Sequence, residues 1–280
     1  MTLTLFPSAV VGMSPRKILR KLLEFHFHQP AICLFRSLEL VELREVNFSA
    51  PVLDLGCGNG DIAEIALSSH YPVVGLDLLH VEASVAAKRK SLLSAVTGDA
   101  TSLPFEDNSY GSVVSICVLE HIPADELAIA EVARVLRDGG LFVFSTPSID
   151  FEKLLIDADD KDAVTELNNR LGHFHYRSLD EWREMLSRNG LIVQKYATFL
   201  QPRSARIWHG RDRLMVARIF GRRVLDVVRG LHRRGLLPVK LWASIWSVCL
   251  STVAQRRVKN GECAAGQMII AKKISSHHEI

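Results

Sequence analysis

The segment VLDLGCGNG, residues 52–60, joins a short apolar run to three closely spaced glycines. Glycine at positions 56, 58 and 60 allows the chain to turn sharply after a strand and allows a ligand to approach the backbone. The helix that follows would present its N-terminal N–H groups to that ligand. The segment therefore predicts the first strand, turn and helix of an α/β sheet with a ligand site at the strand's end.

The glycine spacing does not fit a dinucleotide fold. A dinucleotide fingerprint requires GxGxxG. Gly56 and Gly58 match its first two positions, but its third falls on Asp61. Because a carboxylate there would face a pyrophosphate, NAD and FAD are disfavoured.

Apolar runs alternate with amphipathic stretches along the chain, which predicts a parallel sheet covered by helices. The predicted strands are 51–55, 72–76, 94–98, 112–117, 141–146, 191–199 and 266–273. ADELAIAEVARVLRDGG predicts a helix that closes with Arg137 and the following glycines. RSLDEWREMLSRNG predicts a helix with Ser178 as N-cap, Glu181 completing a capping box and Gly190 as C-cap.

Acidic residues lie at the ends of the first three strands. Asp54 suits a ligand that carries an ammonium group, and Asp77 can accept both hydroxyls of a ribose. Asp99, followed by Ala100, can accept a hydrogen bond from an exocyclic amine. Together with the glycine turn, these acids describe a nucleoside with a cationic amino-acid tail.

Four segments in order, VLDLGCGNG, VVGLD, GDATSLPFEDNSYGSVVSICVLEHIP and ARVLRDGGLFVFSTPS, resemble the class I S-adenosylmethionine-dependent methyltransferases. The resemblance is close over residues 50–147 and looser over 173–200. It implies a Rossmann-like seven-stranded sheet, its last strand antiparallel, with helices on both faces. The residues it implies for cofactor binding are Asp54, Gly56, Cys57, Gly58, Asn59, Gly60, Asp77, Leu78, Asp99, Ala100, Cys117, Val118 and Leu119.

Methyl transfer from a sulfonium is an in-line displacement, so alignment of donor and acceptor provides much of its acceleration. An oxygen or nitrogen acceptor also calls for a general base, most often histidine. The candidates are His121, His173 and His175, and each has a structural or surface alternative. The segment from His173 to Trp182, with Tyr176, loosely resembles bacterial methylases of glycans and other metabolites.

No metal site is expected. The pairs His26/His28 and His277/His278 lack nearby acidic or cysteine partners. Five widely spaced cysteines without a CxxC pair favour a reducing compartment. In the N-terminal apolar patch basic residues follow instead of preceding, which is the wrong order for a secretory signal. We therefore expect a cytoplasmic protein.

About 65 residues separate the last two predicted strands, where a short hairpin would suffice. Residues 203–260 hold fourteen Arg and Lys against Asp212 and Asp226, within a chain of net charge +3. Arg211, Arg218, Arg222, Arg229 and Arg233 follow helical spacing, which predicts a basic amphipathic helix or helix pair. The uncharged run 241–254 is too short to span a membrane.

This helical insertion has three interpretations: a subdomain with a solvated basic face, an attachment of residues 203–257 to an anionic membrane surface, and a nucleic-acid contact. In the second, Trp242 and Trp246 would lie at headgroup depth, and the protein would be peripheral at the inner face of the membrane. The third is disfavoured because no nucleic-acid-binding module is present.

The sequence predicts three parts: an N-terminal helical cap (1–49), a methyltransferase core (50–200 and 264–275) and the basic insertion (201–263). We expect an enzyme that methylates a small or lipid-linked metabolite, with oxygen as acceptor. The alternatives are an RNA methyltransferase and a non-catalytic cofactor-binding partner subunit.

Overall fold

The computed structural model describes residues 5–67, 71–156, 161–254 and 263–274. The strands are β1 (Leu5–Pro7), β2 (Asn47–Ser49), β3 (Val52–Leu55), β4 (Val73–Asp77), β5 (Ser94–Thr97), β6 (Tyr110–Ile116), β7 (Leu136–Pro147), β8 (Leu191–Phe199), β9 (Arg218–Ile219), β10 (Arg222–Arg223) and β11 (Gly266–Lys273). The helices are α1 (Pro15–Phe25), α2 (Pro30–Glu42), α3 (Asp61–Ala66), α4 (His80–Ala86), α5 (Asp125–Val135), α6 (Asp150–Ile156), α7 (Lys161–Leu171), α8 (Leu179–Arg188), α9 (Pro202–Val216), α10 (Val224–Arg233) and α11 (Val239–Ala254).

Seven strands form the central sheet in the order β5-β4-β3-β6-β7-β11-β8. Neighbours from β5 to β7 run parallel, whereas β11 is antiparallel to both β7 and β8. The predicted Rossmann-like sheet with an antiparallel last strand is confirmed. β3 and β6 are buried along their whole length, as expected for parallel strands covered on both faces.

Two buried apolar clusters lie on the two faces of the sheet, and alternate residues of a strand enter different clusters. Val143 belongs to one cluster and Phe142 and Phe144 to the other. The first cluster takes side chains from the N-terminal helices, the sheet and the insertion alike. The three-part division of the chain stays a prediction.

The end of α5 differs from the prediction. The helix stops at Val135, and Arg137 and Gly139 already belong to β7. Leu136 is fully buried and pairs with Tyr110 of β6. Sheet pairing therefore begins earlier than the glycines suggested. The capping box of α8 is confirmed, because the Ser178 and Glu181 side chains each accept a hydrogen bond from the other residue's backbone N–H.

The insertion between β8 and β11 contains α9, a hairpin of β9 and β10, α10 and α11. The predicted helix pair is present as α9 and α10, but Arg211, Arg218, Arg222, Arg229 and Arg233 do not share one helical face, because the hairpin separates the two helices. Its turn consists of Phe220 and Gly221, both with positive φ. Two consecutive positive φ values are typical of a tight hairpin turn and end helical geometry.

Helix α11 packs against α1 and α2. Ala243, Ser247 and Leu250 are buried on its inner face. The described residues contain no helix that is long and apolar enough to cross a membrane.

The two tryptophans of α11 contact the protein itself. The indole N–H of Trp242 donates to the Phe27 carbonyl oxygen at 2.8 Å. The guanidinium of Arg211 lies 5.7 Å from the Trp246 ring centroid. Both rings are nevertheless only half-buried, and their position at headgroup depth stays a prediction.

Candidate active site

The glycine turn after β3 combines one crowded position with one open position. Gly56, Gly58 and Gly60 all have positive φ. A Cβ on Gly56 would lie 2.3 Å from Val118 Cγ2, whereas a Cβ on Gly58 would meet no atom within 4 Å. Gly56 is thus required by packing, and Gly58 leaves its backbone accessible to a ligand.

Asp54 is a buried carboxylate in β3, 3% exposed. Its Oδ2 has no hydrogen-bond partner among the described residues. Burial raises the pKa of Asp54 to about 7, and the neighbouring Asp77 acts in the same direction. A cation beside Asp54 would stabilise its ionised form. The position fits the ammonium group that the sequence predicts.

The Asp77 side chain at the end of β4 is fixed by the adjoining loops. Gly58 N–H donates to its Oδ2 at 2.8 Å and Leu79 N–H to its Oδ1 at 2.9 Å. Leu78 is 68% exposed beside it. A fixed carboxylate next to an exposed apolar side chain suits a ribose and its base.

Asp99 lies beyond β5, the edge strand next to β4. The backbone N–H and the hydroxyl of Thr101 both donate to Asp99 Oδ1 at 2.8 Å. The backbone hydrogen bond, followed by that from the hydroxyl, lowers the pKa of Asp99. Ala100 is buried. Because neighbouring parallel strands end at one edge, the acids after β3, β4 and β5 lie along the same edge of the sheet.

The glycine turn is also tied to its surroundings through Cys57 and Asn59. Cys57 is buried, and its Sγ lies so close to Gly75 that a Cβ there would approach it to 2.7 Å. Asn59 Oδ1 accepts the Asp61 N–H at 3.1 Å. Both residues therefore shape the loop from within.

The residues after β6 differ in accessibility. Cys117 has positive φ, and its thiol donates to Glu39 Oε1 at 2.8 Å. Val118 is half-buried against Gly56. Leu119, predicted to line the cofactor, is 0% exposed within the apolar cluster under α5 and α8. Leu119 therefore has no exposed surface that could contact a cofactor in this structure.

A cavity of about 210 Å³ adjoins this edge of the sheet. Its lining residues come from α2, the segment after β6, the end of β7, α6, the end of α7 with the segment after it, and α9. They are Ile32, Phe35, Arg36, Cys117, Glu120, His121, Pro147, Phe151, Leu171, His173 and Trp208. Apolar side chains form most of the wall. Glu120, the two histidines and Arg36 supply the charged and polar groups.

His121 and His173 meet in this cavity with ring centroids 4.9 Å apart. His121 Nδ1 lies 3.1 Å from the Gly172 carbonyl oxygen, and His173 Nδ1 lies 3.0 Å from the Tyr176 hydroxyl. Burial lowers the pKa of His121, and it lowers that of His173 to about 4. Both imidazoles are therefore neutral at pH 7.

His175, the third predicted catalytic residue, lies outside the cavity. Its Nε2 is 3.0 and 3.1 Å from the carbonyl oxygens of Ile122 and Pro123. Trp182, predicted to border the acceptor, is 1% exposed and packs against Phe144. His175 contacts the turn before α5, and Trp182 packs between α8 and the sheet, so neither side chain lines the cavity. The catalytic role of His175 stays a prediction.

A buried polar network beneath the cavity was not predicted. Glu39 is fully buried; it pairs with Arg36 at 3.0 Å and accepts hydrogen bonds from Ser145 and Cys117, each at 2.8 Å. Arg36 also donates to the Ile116 carbonyl oxygen at 3.2 Å. The available signal was a pair of opposite charges three residues apart in the otherwise apolar helix PAICLFRSLELVE.

The His26/His28 pair does not form a joint site. His26 Nε2 lies 3.2 Å from Asp61 Oδ2, next to the glycine turn. His28 Nε2 lies 2.8 Å from Arg229 Nη2 of the insertion. His277 and His278 lie outside the described residues. A different group, Glu120, His121 and His173, has ligating atoms within 4.8 Å of one another.

Known proteins support the fold and the domain. Residues 53–144 match the family described as a methyltransferase domain. The sterol 24-C-methyltransferase of Gibberella zeae is 35% identical over 127 residues, which are 43% of this chain and 32% of that protein. The fatty-acid O-methyltransferase of Mycolicibacterium smegmatis is 34% identical over 116 residues, 38% of this chain and 42% of that protein.

These matches cover between about a third and two fifths of each relative's length. The crystal structure of an S-adenosylmethionine-dependent methyltransferase from Thermotoga maritima covers 90% of this chain and 98% of its own, with a TM-score of 0.55. At 14% identity this likeness shows the fold alone.

Proposed function

We propose that this chain is a class I, S-adenosylmethionine-dependent methyltransferase that transfers the methyl group of S-adenosylmethionine to an oxygen atom of a small or lipid-linked metabolite. The match of residues 53–144 to a methyltransferase domain supports this proposal. S-adenosylhomocysteine is the second product. The observation that carries the proposal is the cavity lined by Cys117, Glu120 and His121, directly after the strand whose end borders the predicted cofactor site. Donor and acceptor would therefore adjoin.

The residues around the turn fit S-adenosylmethionine. The cofactor supplies an activated methyl group on a sulfonium. Asp54, with its unpartnered Oδ2, would face the ammonium group, and the accessible backbone at Gly58 would face the methionine moiety. Asp77 would accept the ribose hydroxyls, and Asp99 the adenine amine. These residues bind and orient; the displacement requires little more of the protein than alignment.

The polar side of the cavity supports oxygen as the acceptor. Neutral imidazoles accept protons, and a hydroxyl must lose its proton when it is methylated. His121 and His173 lie at the cavity, whereas His175 does not. They are the two residues that we propose to contact the acceptor hydroxyl.

The apolar side of the cavity supports a metabolite with a hydrophobic body. Phe35, Phe151 and Trp208 form a continuous aromatic wall, with centroid distances of 6.3 Å between Phe35 and Trp208 and 5.5 Å between Phe151 and Trp208. The names of two relatives, a sterol and a fatty-acid methyltransferase, agree with such an acceptor.

Methyl-labelled cofactor, incubated with the protein and a fractionated extract of the source cells, tests the function. We expect label in the lipid or polar small-molecule fraction. Asp77→Ala should lose both labelling and cofactor binding in calorimetry, because the carboxylate that faces the ribose is removed. Asp180→Ala, at an exposed position on α8, is the matched control.

Each other outcome identifies a rival. Label in RNA would indicate a nucleic-acid methyltransferase. Intact cofactor binding without labelling of any fraction would indicate a non-catalytic partner subunit. Micromolar affinity retained by Asp77→Ala would overturn the cofactor assignment.

We also propose that the protein is cytoplasmic and that the insertion attaches it to the inner face of the membrane. The hairpin tip carries Phe220, which is fully exposed, and Ile219, which is 54% exposed. Arg218, Arg222 and Arg223 flank them in the two short strands. An apolar tip between arginines is complementary to an anionic lipid surface, where each basic residue contributes about 1 kcal/mol.

A further inference from the structure

Glu120 is a buried carboxylate whose hydrogen-bonding capacity is unused. It is 1% exposed, and neither Oε1 nor Oε2 has a hydrogen-bond partner among the described residues. A neutral carboxyl would still hold an O–H without an acceptor. Either protonation state leaves a buried polar group unsatisfied, which is costly.

Two imidazoles beside Glu120 have their lone pairs fixed by their neighbours. The Gly172 carbonyl oxygen can only accept, so His121 Nδ1 carries the hydrogen of that contact. The Tyr176 hydroxyl donates to Asn168 Oδ1 at 2.7 Å, so its oxygen accepts the hydrogen on His173 Nδ1. Both rings therefore keep their Nε2 lone pair. Metal-binding histidines are typically held in this way through the other ring nitrogen.

The ligating atoms of Glu120, His121 and His173 are slightly farther apart than they would be around a bound metal ion. His121 Nε2 lies 4.0 Å from Glu120 Oε1, and one ligating atom from each of the three residues lies within 4.8 Å of the others. Ligands around a tetrahedral zinc ion are about 3.4 Å apart, given bonds of about 2.0–2.2 Å. Side-chain rotations that move each ligating atom by up to about 0.7 Å would close this difference.

We propose that Glu120, His121 and His173 bind a divalent transition-metal ion, with Zn²⁺ as the ion that best matches a two-histidine, one-carboxylate set. Three protein ligands leave a coordination position open, as in catalytic zinc sites. The same three residues line the acceptor cavity. On the proposed function, the open position would receive the acceptor hydroxyl. The ion would orient the hydroxyl and lower its pKa so that its proton leaves to solvent, and His121 and His173 would act through the ion in place of accepting the proton directly. The expectation of no metal is thereby revised.

Titration of the chelator-treated full-length protein with Co²⁺ tests the site without any activity measurement. We expect one equivalent to bind with visible d–d absorption and to be displaced by Zn²⁺. His173→Ala and Glu120→Gln should lose this absorption. Tyr176→Phe, which removes the oxygen that accepts from His173, should weaken binding by about 10- to 100-fold, the usual effect of removing such a partner.

His175→Ala is the matched control, because its imidazole lies outside the cavity and reports adventitious binding by surface histidines. Binding of S-adenosylhomocysteine by each variant, measured by calorimetry, reports folding and the cofactor site independently. The metal proposal is overturned if the wild type binds the product but no Co²⁺, or if His173→Ala and Glu120→Gln bind Co²⁺ as the wild type does. If the wild type does not bind S-adenosylhomocysteine, that result would instead count against the proposed function.

Discussion

Individual residues around the glycine turn are adapted either to packing or to the ligand. Gly56 faces Val118 at a distance that admits no side chain, whereas Gly58 faces open space. Asp54 is buried with an unpartnered oxygen, whereas Asp77 is held by two backbone N–H groups. Substitutions at neighbouring positions of the turn should therefore affect different measured properties, either the stability of the protein or its affinity for the cofactor.

Cofactor binding should depend on pH through Asp54. With a pKa of about 7, roughly one molecule in ten has Asp54 ionised at pH 6, so affinity should be about tenfold weaker there than when ionisation is complete. The Kd should fall as pH rises from 6 to 7.5, below the usual pKa of an α-amino group of about 7.7–8.0. Calorimetry at several pH values measures this change.

Asp54→Asn should remove this dependence, and an unchanged pH slope in that variant would count against the assignment.

The raised pKa of Asp54 also determines how the stability of the protein should change with pH. The native state holds the Asp54 proton more tightly than the unfolded state does, so its contribution to the free energy of unfolding should decrease as pH rises from about 4 through 7.

Gly56→Ala and Gly58→Ala should act on different properties. Both place alanine at positive φ, which costs about 1–2 kcal/mol. Gly56→Ala adds a contact with Val118 that something must relieve, so it should lower the free energy of unfolding by clearly more. Gly58→Ala should instead weaken cofactor binding. Denaturant unfolding and calorimetry on both variants check this, and equal losses of stability would contradict it.

At the scale of elements, helix ends and strand pairing decide where each segment stops. Ser178 and Glu181 start α8 as their spacing predicts. The end of α5 is decided by pairing of Leu136 with Tyr110, two residues before the predicted stop. Capping groups determine the end of a helix where those groups are exposed. Pairing with a neighbouring strand determines it where the next residue is buried in the sheet.

Ser178→Ala should lower the free energy of unfolding by about 1 kcal/mol, because the N–H of Glu181 would lose its acceptor. Ser187→Ala in the same helix is the control; its exposed hydroxyl bonds only to the Glu184 carbonyl oxygen. We expect a change within about 0.5 kcal/mol there. Equal effects in urea unfolding would show that the cap is not what matters.

At the scale of the whole molecule, the insertion is part of the main core and also the most basic surface. Leu250 and Trp208 belong to the same buried cluster as Val52 of the sheet. Deleting the insertion would therefore expose that cluster, so its surface is best altered residue by residue.

Phe220→Asp should reduce co-flotation with anionic vesicles, because it replaces the most exposed apolar side chain of the hairpin by a charge that the membrane repels. Raising NaCl from 0.1 to 0.5 M should also reduce co-flotation of the wild type, since salt screens the arginines. Leu127→Asp, at an exposed leucine of α5, is the control. Absence of wild-type co-flotation at low salt would remove the membrane proposal.

The sequence alone predicted the positions of the seven strands and the acids at their ends, because each depends on local periodicity and on residues next to a turn. The antiparallel last strand was implied by the resemblance to methyltransferases. The sequence did not predict that His121 and His173 meet while His175 turns away. Residues 121 and 173 are distant in the chain, and which imidazole faces the cavity depends on the contacts of the segment after α7 with Gly172 and Tyr176.

The sequence by itself determined the type of sheet and the edge at which a cofactor would bind, since hydrophobic period and glycine spacing are properties of contiguous residues. Only the tertiary structure decided what faces the acceptor. Glu120 acquires its unpaired, buried state from α2, which brings Arg36 and Glu39 beneath the cavity. Burial and pairing of a charge depend on groups distant in the chain, and no local pattern records them.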